Sequence, residues 1–107
     1  MRTKILTYYT EISKLEGLTL LPVRFCKVGK GGAMVIYNPT TKIPIAISFD
    51  LNGLHDPEFA VLHEIAHIIL LYKKGYAGHN SDFKKEHYKL MDKYTYSDLC
   101  MRIFAIK

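Results

Sequence analysis

Three observations along these 107 residues predict an α+β domain. Both ends of the chain carry apolar residues at spacings of three and four, the signature of amphipathic helices. Between Leu20 and Phe49 the pattern changes to short β-rich runs separated by turn residues. The segment Pro57–Lys74 is apolar nearly all round, as a buried helix is. The length supports one modest core and not two, so residues 1–107 read as a single domain.

The first element is a helix over residues 3–16, where Ile5, Tyr8, Ile12 and Leu15 form one stripe and Gly17 supplies a C-terminal stop. Strands follow at 23–28 and 33–37, joined by the glycine-rich turn Gly29-Lys30-Gly31-Gly32. That turn lacks the order of a phosphate-binding loop and reads as a hairpin connection. Across Asn38-Pro39-Thr40-Thr41 comes a third strand in which Ile43, Ile45, Ile47 and Phe49 alternate with Pro44, Ala46 and Ser48. The expectation is a three-stranded, mainly antiparallel meander. Because proline cannot donate to a central ladder, the third strand is expected at an edge, or with its proline on the unpaired side; as an edge it can either accept an extended peptide or simply be blunted by its proline.

The buried helix has a full set of end signals. Asp56 suits the N-cap, Pro57 the first position and Glu58 the first turn, while Lys73-Lys74-Gly75 forms a last turn and cap. Two further helices follow: one over 82–94 capped by Asn80 or Ser81, with Phe83, His87, Leu90, Met91 and Tyr94 inward, and one over 98–106 capped by Ser97.

Composition bounds the function. Hydrophobic residues at 49% with 23% charged are ordinary for a soluble globular protein, and no apolar run reaches membrane-spanning length. The first residues, Met1-Arg2-Thr3-Lys4, turn polar without a secretory h-region, so a cytoplasmic location is expected. Cys26 and Cys100 form no C-x-x-C pair and read as reduced core thiols. A net charge of +5 admits an anionic partner without requiring one. Lys84, Lys85, Lys89 and Lys93 fall mainly on the outer side of their helix, and a solvated face accounts for them better than a nucleic-acid surface, since no aromatic interleaving or recognised motif accompanies them.

The chemistry concentrates in His63-Glu64-Ile65-Ala66-His67. Histidines four apart on a helix lie on one face about 6 Å apart along the axis, which is metal-ligand spacing, and the intervening glutamate can reach a water beside them. Two imidazoles and a carboxylate in so apolar a helix are costly unless something pairs with them, so a metal explains them better than backbone-bonded core histidines do. A catalytic zinc takes a third protein ligand. The metzincin extension would place Gly at 70 and His at 73, where Leu70 and Lys73 stand, and the same lysine excludes the three-histidine ribonuclease pattern. His79, in a short loop after Gly75 and Gly78, and Glu86, one turn into the next helix, remain. Local context favours His79, because Glu86 lacks the sequence that surrounds a glutamate ligand. His87, inside an apolar stripe, is a weaker third candidate and reads as a core histidine.

Together with Gly78-His79-Asn80-x-x-Phe83, the pentapeptide resembles the SprT-like and WLM group of small zinc metallopeptidases, over roughly Ile43 to Tyr94 by motif. The resemblance implies a minimal zincin-like domain, with His63, His67 and His79 as ligands to one Zn²⁺, Glu64 as general base, and a protein or peptide substrate. Tyr76, Tyr88, Tyr94 and Tyr96 are all candidates for a second donor to the oxyanion. The competing expectation is a nucleic-acid- or protein-binding module that keeps a zinc site with little or no hydrolytic activity.

Overall fold

A computed structural model of the chain describes residues 1–28, 32–54, 56–95 and 97–104. In chain order it contains α1 (Arg2–Leu15), β1 (Val23–Phe25), β2 (Ala33–Tyr37), β3 (Pro44–Phe49), α2 (Pro57–Lys74), α3 (Ser81–Tyr94) and α4 (Asp98–Phe104). The hairpin turn expected at 29–31 and the end of the last helix, with Ile106, lie outside the described residues.

The α+β class holds, and the sheet differs from the expected meander. Its order is β1-β3-β2: β2 pairs with β3 antiparallel, and β1 pairs with β3 in parallel. β3 is therefore the central strand and not an edge. Pro44 is compatible with this because it is the strand's first residue, set opposite Tyr37 where the register shifts between Ile36 and Tyr37, and a proline is tolerated at a strand start or bulge. β3 is buried from Ala46 to Phe49, which its central place requires.

One face of the sheet packs with α1 and α2 around a core of Ile5, Tyr8, Ile12, Ile47, Phe49, Val61, Leu62, Ile65 and Ile68. Burying each such side chain is worth roughly 1.5–3 kcal/mol, so α2 is fixed mainly by its apolar face. Its ends follow the expected chemistry. The Asp56 carboxylate accepts from Phe59 N–H at 3.1 Å, and Gly75 closes the helix in the left-handed conformation (φ 64°) with its N–H on Leu71 O. Phe59, expected inside, is 45% exposed. Of the two cysteines only Cys100 is buried; Cys26, at the end of β1, is exposed.

α1 and α3 are tied at their ends by the Glu16 carboxylate, which accepts from Lys93 Nζ at 2.8 Å and from the Tyr94 hydroxyl. Burial alone would raise Glu16, but the hydrogen bonds from Lys93 and Tyr94 outweigh it and hold the group below the usual glutamate range. Gly32 and Gly53 touch backbone to backbone ahead of α2: a Cβ on Gly32, itself at φ 74°, would stand 2.7 Å from the Gly53 carbonyl carbon.

Candidate active site

α2 presents His63, Glu64 and His67 to a cleft of about 650 Å³. One wall is β2, through Ala33, Met34, Val35 and Tyr37; the other is α2 from Phe59 to Leu71; Gly53, Leu54 and Asp56 close one end, and Ala77 and His79 complete the lining. β2 has β3 on one side only, so it is the sheet edge that meets the cleft. Among the residues that sequence reasoning did not assign to the site, Tyr37 and Phe59 are the notable ones. Nothing in the alternation of β2 marks Tyr37, and the apolar pattern of α2 hides Phe59 among its core neighbours.

The loop after Gly75 returns His79 to α2. His79 Nε2 lies 3.1 Å from His63 Nε2 and 3.2 Å from His67 Nε2, and the three residues offer ligand atoms all within 4.8 Å of one another. Nitrogens at about 2.0–2.1 Å from a tetrahedral ion are separated by about 3.3 Å, which both separations made by His79 approach. Burial, followed by the neighbouring imidazoles, pushes His63 and His67 down to about 4, which leaves both rings neutral and able to donate lone pairs at neutral pH.

Each residue of Gly78-His79-Asn80-x-x-Phe83 has a local task. Gly78 makes room for the Tyr76 hydroxyl, which a Cβ there would meet at 2.3 Å. Asn80 is the N-cap of α3, its Oδ1 accepting from Phe83 N–H at 3.1 Å. Phe83 stacks on the His67 ring (centroids 4.3 Å, planes 27° apart) and stands edge-on to His63 and His79. The residue carrying the third imidazole is thus directly followed by the cap that starts a helix, and that helix's first buried side chain fixes the ring of the second.

The alternatives separate by position. Glu86 points away to an ion pair with Lys73 at 3.1 Å. His87 is buried, packed edge-on against Phe59 and His63, and is not part of the converging set. Among the tyrosines, Tyr94 gives its hydroxyl to Glu16, Tyr88 is 65% exposed, and Tyr76 leans on Gly78. Tyr96 lies outside the described residues. Lys93 is paired with Glu16, which leaves Lys84, Lys85 and Lys89 on the exposed face of α3.

Glu64 is 4% exposed, and burial pushes its carboxyl up to about 8. A carboxyl so placed is protonated at neutral pH unless a positive charge joins it; a cation on the adjacent imidazoles would favour the carboxylate.

No protein-family model and no curated protein sequence matches the chain. Among solved structures, the crystal structure of the metallopeptidase zymogen of Pyrococcus abyssi abylysin is similar, with a TM-score of 0.56 over 92% of this chain and 87% of that one, at 19% sequence identity. The two chains share a fold. Within it, the three-histidine cluster is compatible with a bound metal ion. Among the described residues no helix is long and apolar enough to cross a membrane.

Proposed function

We propose that this protein is a zinc-dependent peptidase in which His63, His67 and His79 hold the ion and Glu64 is the general base. The observation that carries the proposal is the convergence of three imidazole nitrogens beside a buried carboxylate, inside a cleft walled by an unpaired strand edge. The ion, when bound, supplies Lewis-acid activation of a water and polarises a carbonyl.

The chain's own residues do the rest. β2 offers backbone N–H and C=O groups to an extended peptide, which pairs as an added strand and brings its backbone over the imidazoles. This moves the peptide-binding role from β3, where Pro44 suggested it, to β2. Ala33, Val35, Leu54, Phe59 and Leu71 surround the peptide with apolar surface, excluding bulk water from around Glu64. Glu64 takes a proton from the attacking water and returns it to the leaving amine. The Gly78-His79-Asn80-x-x-Phe83 arrangement, with its cap and its ring stacked on His67, supports a SprT-like variant of this plan.

Metal analysis and peptide cleavage test the reading together. The expected result is about one zinc per chain, lost in His63→Ala, His67→Ala and His79→Ala but kept in Glu86→Ala and in Glu64→Gln, with the last variant unable to cut peptides. A wild-type protein that takes up no zinc, cobalt or nickel would overturn it.

A further inference from the structure

A lysine on an unusual backbone stands beside one end of the cleft. Lys42, in the turn between β2 and β3, is the one non-glycine with positive φ among the described residues (φ 63°). A side-chain-bearing residue takes this conformation only where its surroundings impose it. Here the turn is closed by Lys42 N–H on Asn38 O at 2.7 Å and by Asn38 N–H on Ile43 O at 3.0 Å, while Asn38 Oδ1 accepts from the N–H groups of Thr40 and Thr41. The turn fixes the direction in which the Lys42 side chain leaves the backbone. Its stem lies against Gly75, where a Cβ would meet Lys42 Cγ at 3.6 Å, and its Nζ stands 5.7 Å from the centroid of the Tyr37 ring. Tyr37 lines the cleft.

The neighbouring cations are engaged: Lys73 with Glu86 and Lys74 with Asp82. Lys42 has no carboxylate within ion-pair distance among the described residues. At the opposite end the Asp56 carboxylate borders the cleft. An anionic side chain on a bound peptide therefore has one favourable end to occupy.

β2 begins beside Gly53, ahead of α2, and ends beside Lys42 and the α2 C-cap, so strand and helix run the same way along the cleft. A peptide added antiparallel to β2 would then pass from the Lys42 end toward the Asp56 end, placing its amino-terminal side at Lys42. Gly75 follows His67 by eight helical residues, about 12 Å along the axis. At about 3.3 Å per extended residue this spans three to four peptide positions.

We propose that Lys42 is a specificity-determining residue that selects peptides carrying an acidic side chain three or four residues before the bond that is cut. The proposal rests on the peptidase reading above and deepens it by naming the substrate class. The test is a set of quenched-fluorescence peptides, identical except for one Glu walked along a neutral sequence, each matched to its Gln counterpart. With Glu at the third or fourth position on the amino-terminal side, kcat/KM is expected to rise about two- to fivefold over Gln, the range for an exposed ion pair. Lys42→Glu should invert the ranking in favour of a Lys at those positions, and Lys42→Asn, which accepts the left-handed backbone, should abolish the difference. Equal rates for the Glu and Gln peptides, a ranking unchanged by both Lys42 substitutions, or a Glu preference confined to the carboxyl-terminal side would overturn the proposal. Cleavage of the neutral parent, sensitive to Glu64→Gln, reports on the peptidase reading separately. If no peptide is cut, anisotropy of the labelled peptides on zinc-loaded protein reads the same ranking and decides on Lys42 alone.

Discussion

The two sides of α2 are held by different physics. Toward α1 and the sheet, Val61, Leu62, Ile65 and Ile68 meet Ile5, Tyr8, Ile12 and Ile47 in a core that excludes water. Toward α3, the core continues through Leu90, the ion pairs Lys73–Glu86 and Lys74–Asp82 join the helices, and a set of rings is added: His63, His67 and His79 around Phe83, with His87 and Phe59 at the margin. Apolar burial needs nothing further to be stable, whereas converging imidazole lone pairs gain most when a cation joins them. The helix is thus a fixed floor on one side and a conditional contact on the other.

The sharpest way to break that contrast acts on chemistry alone. Glu64→Gln removes the proposed base without a change of volume, and is expected to lower peptide cleavage by about 10²–10⁴-fold while leaving zinc content and the unfolding midpoint near wild type. A variant that loses zinc or stability to the same degree would mean that Glu64 is structural.

On the apolar side, Leu62→Ala should cost about 2–5 kcal/mol in denaturant unfolding, the range for emptying a fully buried leucine site. The metal content of the fraction that remains folded should be unchanged. Metal removal should do the reverse. Chelation is expected to accelerate amide exchange in α3, whose cap follows His79, while Val61 to Ile69 in α2 and Ile5 to Ile12 in α1 keep their protection. Uniform deprotection of all three helices would erase the distinction drawn above.

Asn80→Ala removes the α3 cap and should cost about 1 kcal/mol, with a second effect that a simple cap would lack: weaker zinc retention against a competing chelator. The smallest effect is at the other end of the cleft. The hydrogen bond with Asp56, then burial, then the Asp56 charge raise Glu58 to about 7, while that same hydrogen bond, with backbone N–H donors, outweighs burial to hold Asp56 below its usual range. A raised acid contributes stability that is full below its unfolded value and is lost as pH rises through the folded one; the depressed Asp56 contributes above its unfolded value and loses that as pH falls. The pair is therefore most favourable near pH 4, above the unfolded value of Asp56 and below that of Glu58, and its contribution is lost as pH rises toward 7, so thermal midpoints should fall from about pH 4.5 to 7. Glu58→Gln, which cannot ionise, should flatten that fall; an unaltered pH profile would show that the pair does not couple to folding.

Much of this arrangement was legible where the determinants are local. The end signals of α2, from Asp56 to Gly75, and the cap of α3 at Asn80 are interactions within a few residues, and helix periodicity placed His63 and His67 on one face. The sheet was harder, because strand order depends on which partners meet across the chain. Val23–Phe25 crosses over to pair in parallel with β3 and encloses it, which no residue of β3 announces. Pro44 misled for the same reason: the rule against central prolines is silent about a strand's first position. Cys26 was assigned to the core by residue type, but the short strand it follows is a sheet edge. His79 was readable as a candidate because the glycines around it permit a reversal, while its approach to within 3.2 Å of both other rings is tertiary geometry. The cleft wall, with Tyr37 and Phe59, had no local signal at all.

The unequal exposure of the three imidazoles has a kinetic consequence. His67 is buried and His63 half-buried, but His79 stands on the surface at the head of α3. An ion held by the three would be nearest to solvent on the His79 side, away from the floor formed by α2. Such an ion would be open to a chelator without unfolding of the core.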